Sequence, residues 1–282
     1  MRLGVHISGD KSLLETIGHA VRLGCETMQI FVHSPQQWRT ENFSGEECSK
    51  FRSELKSSGL NPLFVHISYL INLASPNPKL YHASINAYIE DIKEAESLGA
   101  DYIVTHMGSH KDTSEEAGIK RFIKALNTII SETKNCSVKI LLENTSGSGS
   151  WLGYNFTHHK KIIQGLDDKG RVGLCLDTAH AFLAGYDLSK NEGFDKMIKE
   201  IDEAVGLKWV RLVHLNDADG KLGAKHDRHQ EIGKGGIGLE GIRRVLQHPA
   251  LKDLPFILET PKSGDDDDLR NLKIVRELAE GR

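Results

Sequence analysis

The chain is expected to fold as an α/β protein, a single (β/α)8 TIM barrel spanning residues 1–282. Three observations predict it. Short apolar runs alternate eight times with stretches whose apolar residues recur at helical spacing, the pattern of a parallel sheet covered on both faces. Helix-to-strand connections are short and marked by Gly24, Gly59, Gly99 and Gly206, whereas the connections after His66, Asp177 and His214 are long, as in barrels whose working loops gather at one mouth. An open doubly wound sheet needs a phosphate-binding glycine motif after the first strand, and Gly4-Val5-His6-Ile7-Ser8-Gly9 is not one.

The elements follow in order. Residues 3–7 make the first strand, and residues 13–23 the first helix, with Leu13, Leu14, Ile17, Ala20 and Val21 on one face and Gly24 at its C-cap. The second strand is 27–31, and residues 48–55 lie in the second helix. Gly59 and Pro62 lead to the third strand, 63–66. Ile85, Tyr88, Ile89, Ile92 and Ala95 mark the third helix, closed by Gly99 before the fourth strand, 102–106. The fourth helix buries Ile119, Phe122, Ile123, Leu126, Ile129 and Ile130. The fifth strand is 139–143, with residues 160–166 in its helix; the sixth is 172–177, with a helix around 194–205. The seventh runs from Trp209 to His214, with a helix near 239–246. The eighth is 256–259, and the last helix, 269–278, follows an acidic run at 265–268 that suits a helix N-terminus.

Composition narrows the function classes. A hydrophobic content of 39% beside 27% charged residues suits a globular protein with a large core. No apolar run approaches the ~20 residues that span a bilayer, so no membrane partner is expected. The first residues run straight into a strand without a signal-peptide pattern, which implies a cytoplasmic location. Cys25, Cys48, Cys136 and Cys175 lack Cys-x-x-Cys spacing and read as free thiols, which excludes a zinc finger and a disulfide framework. A net charge of −3 points to no polyanion, so nucleic acid would have to meet a local basic face.

The strand ends carry the chemistry. The third to eighth strands finish with His66, His106, Glu143, Asp177, His214 and Glu259, and His6 stands near the end of the first. In a barrel these positions ring one mouth. Imidazoles and carboxylates crowded there without a cation would repel one another or lose hydration at high cost. The segment from His214 to Gly236, HLNDADGKLGAKHDRHQEIGKGG, adds Asp227 and His229, which point the same way if the backbone is extended, and His180 follows Asp177 by three residues. Five His, two Asp and two Glu are too many for one ion and fit two or three. Imidazole with carboxylate and no thiolate suits Zn2+, with Mn2+ as a weaker substitute. His6 is assigned a supporting role near the mouth. His33, His110, His158 and His226 are placed in loops, and His19, His82 and His248 on helices.

The sequence resembles the endonuclease IV family of apurinic/apyrimidinic endonucleases nearly end to end. The resemblance is carried by Gly4-Val5-His6-Ile7-Ser8, by His66 with Ser68-Tyr69-Leu70-Ile71-Asn72-Leu73, by His106 in HMGSH and by Leu142-Glu143-Asn144-Thr145. It continues through Leu176-Asp177-Thr178-Ala179-His180-Ala181-Phe182, His214-Leu215-Asn216-Asp217, Asp227-Arg228-His229, Gly233-Lys234-Gly235 and Ile257-Leu258-Glu259-Thr260. It implies three Zn2+ per chain. His66, His106 and Glu143 would hold the first ion; Glu143, Asp177, His214 and Glu259 the second, with Glu143 bridging; and His180, Asp227 and His229 the third. It further implies an enzyme that cuts double-stranded DNA 5′ to abasic sites, leaving a 3′-hydroxyl and a 5′-deoxyribose phosphate, and that clears blocked 3′ ends; a monomer is expected because DNA must reach the open mouth. Glu143 and Glu259 are the catalytic pair in this reading, holding ions that generate the attacking hydroxide.

DNA contacts are expected from the long loops. Arg39 beside Trp38, Lys225, Arg228 and Lys234 would meet phosphates, and Tyr69 and Leu70 would wedge into the base stack. Two positions depart from the family pattern. Gln36 stands where an arginine commonly penetrates the duplex, and Ile67 where an aspartate often follows the third-strand histidine. A divalent-metal sugar isomerase or epimerase of the same architecture is the alternative, since Glu143, Asp177, His214 and Glu259 match its single-metal set. It leaves His66, His106, His180, Asp227 and His229 without a task.

Overall fold

Parallel pairing of eight strands closes one barrel in the computed structural model, which describes residues 1–7, 12–38, 42–262, 264 and 266–281. In chain order the strands are β1 (Arg2–Ile7), β2 (Thr27–Ile30), β3 (Leu63–His66), β4 (Tyr102–His106), β5 (Lys139–Glu143), β6 (Val172–Asp177) and β7 (Val210–His214). A short antiparallel pair, β8 (Asp217–Ala218) and β9 (His229–Gln230), follows, and β10 (Pro255–Leu258) completes the barrel in the order β1-β10-β7-β6-β5-β4-β3-β2. Around it lie α1 (Leu13–Arg22), α2 (Gly45–Ser58), α3 (Pro78–Leu98), α4 (Glu115–Glu132), α5 (Phe156–Gln164), α6 (Thr178–Ala184), α7 (Asn191–Ala204), α8 (Gly238–Gln247) and α9 (Asp267–Ala279). No helix among the described residues is long and apolar enough to cross a membrane.

Local chemistry sets the ends of these elements. At the start of α2, Glu47 N–H donates to Ser44 Oγ and Ser44 N–H donates to the Glu47 carboxylate, which satisfies donors that the first turn leaves free. Asn77 does the same for α3, accepting from the N–H groups of Lys79 and Leu80, with Pro78 in the first helical position. Gly99 ends α3 in the left-handed region at φ 77°, where a side chain would be strained.

Alternation along the strands divides the core in two. Val65, Ile103, Ile140, Leu142, Val213 and Phe256 pack outward with helix residues such as Ile92, Phe122, Ile129 and Val245. Phe64, Val104, Leu141, Cys175, Leu212 and Ile257 point inward and fill the barrel, with Tyr102 stacked on Phe64.

Several boundaries differ from expectation. β2 ends at Ile30, Trp209 belongs to a 3-10 turn (Leu207–Trp209) before β7, and β10 starts at Pro255 and stops one residue before Glu259. α5 begins at Phe156, so His158 is a buried helix residue and not a loop residue. His248 caps the end of α8 instead of lying within it. The seven-residue α6 was not expected; it grows directly from Asp177, whose carboxylate accepts from His180 N–H. His180 therefore sits on a helix, held by its own cap, and not on a loop.

Candidate metal centre

Two residues past each inward apolar side chain, the same face of the strand turns polar. Phe64 gives way to His66, Val104 to His106, Leu141 to Glu143, Cys175 to Asp177, Leu212 to His214, and Ile257 to Glu259. Strand register sets His106 beside Glu143 and Asp177 beside His214. Glu143, Asp177 and His214 are 0% exposed, so their charge must be met within the protein.

Glu143 is the hub. Its Oε2 lies 3.3 Å from His66 Nε2 and 3.1 Å from His106 Nε2, and its Oε1 lies 2.9 Å from His214 Nδ1 and 3.4 Å from His180 Nδ1. Glu259 Oε2 is 3.1 Å from the same His214 Nδ1. Among the described residues, three groups without a thiol have ligand atoms within 4.8 Å of one another: His66, His106 and Glu143; Glu143, Asp177, His214 and Glu259; and Asp177, His180 and His229. Asp227 joins the last, with Oδ1 3.0 Å from His180 Nε2 and 3.8 Å from His229 Nε2. All nine expected residues thus converge, with Glu143 common to the first two groups and Asp177 to the last two.

The electrostatics suit a cation. Burial pushes the Glu143 carboxyl up, yet the charges of His214 and His106 with bonds from His106 and His180 hold it well below the usual range. Burial likewise works against charge on His180, but Asp177, Asp227 and Glu143 hold its proton affinity well above the ordinary imidazole value. A divalent ion bound here would displace the imidazole protons and balance these carboxylates in their place. His180 Nε2 and His229 Nε2, 3.4 Å apart, also face each other across a gap that suits a shared positive partner. The donor set therefore fits bound divalent metal.

Supporting bonds orient these groups. His66 Nδ1 contacts Ile67 O, His180 Nδ1 contacts Asn144 O and His229 Nδ1 contacts Glu259 O, at 2.7, 2.9 and 3.0 Å. Asn216 Nδ2 donates to Asp177 Oδ2 at 2.7 Å, and Asn144 Oδ1 accepts from Asp177 N–H at 2.8 Å. Asp217 accepts from the backbone N–H groups of Gly233, Gly235 and Ile237, which pins the Gly-Lys-Gly turn. At Gly235 any Cβ would lie 2.5 Å from Asp217 Oδ1 and from Ala218 O.

The sequence reading missed two neighbours of the centre. The Cys175 sulfur falls within the same 4.8 Å as Glu143 and His214. Gln29, wholly buried on β2, contacts Glu259, His6 and His214. The signal for Gln29 was an amide between the apolar residues Met28 and Ile30.

A cavity of about 610 Å³ opens over the centre, lined by Phe31, Tyr69, His106, Asp227, Thr260 and Lys262 among others. Tyr69 is 61% exposed at its lip, with its ring 5.4 Å from Phe31 and 5.9 Å from His66. Although much of the residue is exposed, its partial enclosure at the lip and then the Glu259, Glu143 and Asp227 charges push its phenol up to about 12. Leu70 is partly buried, while Gln36 and Arg228 are exposed. Lys225 is exposed, holds a positive φ of 54°, and sets its Nζ 5.9 Å over the Tyr154 ring. Lys234, also exposed, bonds the Glu231 carboxylate at 2.9 Å. Arg39 lies outside the described residues.

A family model described as a xylose isomerase-like TIM barrel matches residues 17–280. A protein of Halothermothrix orenii described as probable endonuclease 4 is 43% identical, over 98% of this chain and 99% of its own. The crystal structure of endonuclease IV from Thermus thermophilus matches with a TM-score of 0.88 at 34% identity, covering 100% of both chains. A D-tagatose 3-epimerase-like protein matches with a TM-score of 0.75 at 19% identity, over 99% of this chain and 97% of its own, and so shares the fold alone.

Proposed function

The chain belongs to the endonuclease 4 family, and from that premise we propose that it is a zinc-dependent DNA repair endonuclease acting at abasic sites. It hydrolyses the phosphodiester 5′ to the lesion, leaving a 3′-hydroxyl and a 5′-deoxyribose phosphate, and trims blocked 3′ ends. It works as a monomer in the cytoplasm, since duplex DNA needs an open mouth.

The observation that carries the reading is the surplus of ligands. A single-metal epimerase needs only a set such as Glu143, Asp177, His214 and Glu259. Here His66, His106, His180, Asp227 and His229 converge on the same mouth, and Glu143 and Asp177 each belong to two groups. We assign His66, His106 and Glu143 to one Zn2+, Glu143, Asp177, His214 and Glu259 to a second, and His180, Asp227 and His229 to a third, with Asp177 within reach of the last. Mn2+ is the expected substitute.

When bound, such ions activate water, neutralise the phosphate and stabilise a departing oxygen. The chain's residues do the rest. Glu143 and Glu259, the catalytic carboxylates, hold the two sides of the centre against the cavity. No Ser, Cys or Lys side chain need attack. Tyr69, kept as a neutral phenol, offers an aromatic face beside Leu70 at the lip, where an unstacked sugar enters. Arg39, Lys225, Arg228 and Lys234 meet phosphates, and Gln36 approaches the duplex as a neutral probe.

The test is elemental analysis alongside nicking of a duplex that carries one abasic site. About three zinc ions per chain and a single 5′ incision are expected. One tightly held ion, no incision and epimerisation of a ketose would establish the sugar-enzyme reading instead.

A further inference from the structure

Parallel register sets Gln29 of β2 beside His6 of β1, and both reach the centre from the wall opposite Glu143. Gln29 is 0% exposed. Its Nε2 lies 2.7 Å from Glu259 Oε1 and 2.7 Å from His6 Nδ1, and its Oε1 lies 2.9 Å from His214 Nε2. The partners fix which way the amide faces. A carboxylate only accepts, so the amide nitrogen must face Glu259; the reverse would press two oxygens together at 2.7 Å.

That orientation settles two rings. Gln29 Oε1 accepts from His214 Nε2–H, so Nδ1, the atom 2.9 Å from Glu143 and 3.1 Å from Glu259, is the nitrogen that would give up its proton and offer its lone pair to an ion. Gln29 donates to His6 Nδ1, which places the His6 proton on Nε2, a buried atom without a partner in the wall of the cavity. Among the described residues, His66, His180 and His229 are steadied from behind by backbone carbonyls. His214 is steadied by a side chain, so a single substitution can change its support.

We propose that Gln29 is the positioning residue of the metal centre. It holds the Glu259 carboxylate and the His214 tautomer so that both offer lone pairs to one ion. The inference rests on the reading that Glu143, Asp177, His214 and Glu259 hold that ion.

The experiment compares wild type with Gln29→Met, which keeps length and loses every polar atom, and with Gln29→Glu, which keeps an acceptor for His214 but loses the donor to Glu259. Zinc is competed with a chromophoric chelator, and the His214 tautomer is read from long-range 1H–15N correlations of the zinc-loaded proteins. In Gln29→Met, one zinc per chain should bind roughly 10- to 100-fold more weakly, the scale for losing a residue that orients a ligand, while the other ions keep their affinity. Wild type and Gln29→Glu should both show His214 with its proton on Nε2, and Gln29→Met a mixture. Unchanged affinity for every ion with an unchanged tautomer in Gln29→Met overturns the proposal. Should that variant not fold, an Nδ1–H tautomer in loaded wild type overturns it equally. A wild type that takes up no zinc at all defeats the metal centre itself, a separate and visible failure.

Discussion

Inside the barrel, two layers of side chains sit two residues apart on the same six strands, both largely hidden from water and opposite in chemistry. The lower layer is Phe64, Val104, Leu141, Cys175, Leu212 and Ile257; the upper is His66, His106, Glu143, Asp177, His214 and Glu259. Burying each large apolar side chain of the lower layer stabilises the fold by about 1.5–3 kcal/mol. Burying a carboxylate of the upper layer costs several kcal/mol unless it finds a partner. One step of the strand's two-residue period therefore separates what holds the barrel together from what burdens it. The burden is tolerated because the imidazoles meet the carboxylates, and bound ions would meet them better.

Substitutions in each layer test that division. Glu143→Gln should have the largest effect, because Glu143 touches His66, His106, His180 and His214. Nicking of abasic duplex should fall by ~10³-fold or more as the shared ligand is lost. Rates near wild type would show that the upper layer is not the working one. Leu141→Ala, two residues earlier, should cost about 2–5 kcal/mol in denaturant unfolding through the cavity it leaves, with zinc content unchanged. Lost zinc with unchanged stability would invert the comparison.

A buried carboxylate away from the centre supplies the control. Asp91 on α3 is 5% exposed and faces Glu94 and Glu90, with His33 Nε2 3.7 Å away. Burial first, then the charges of Glu94 and Glu90, push it up to about 7, whereas the surrounding imidazoles drive Glu143 the other way. Its raised folded value favours the protonated form. That contribution is complete below the unfolded value near 4 and is lost as pH rises through about 7. Asp91→Asn should leave stability alone at low pH and raise it by about 2 kcal/mol above pH 7. Unfolding curves at both ends of that range decide, and equal stabilities throughout would mean that Asp91 has a partner as good as those of Glu143.

Much of this was legible in the sequence because the barrel uses a strict period. Once eight strand-helix units are counted, His66 through Glu259 must share a face, and the structure brings them together. What was hidden depended on contacts across the sheet. Gln29 is an amide between Met28 and Ile30, and only its register against His6 reveals a role. Cys175 read as a spare thiol because nothing in its spacing announces Glu143 and His214 beside it. α6 was missed because seven residues are too few to display a helical period. Its absence left His180 on a loop when its position is set by the Asp177 cap.

The central claim is that Asp227 and His229, outside the barrel wall, complete a site beyond the single-metal set. His229 is partly exposed on β9 and contacts the centre at 3.4 Å from His180 and 3.7 Å from Asp177, outside both core layers. The most direct measurement is zinc per chain and nicking rate for wild type and His229→Ala, prepared and assayed together. His229→Ala should hold one zinc fewer, nick more slowly by roughly 10²-fold, and change little in thermal midpoint. Full zinc content with near-normal nicking in His229→Ala would contradict the claim.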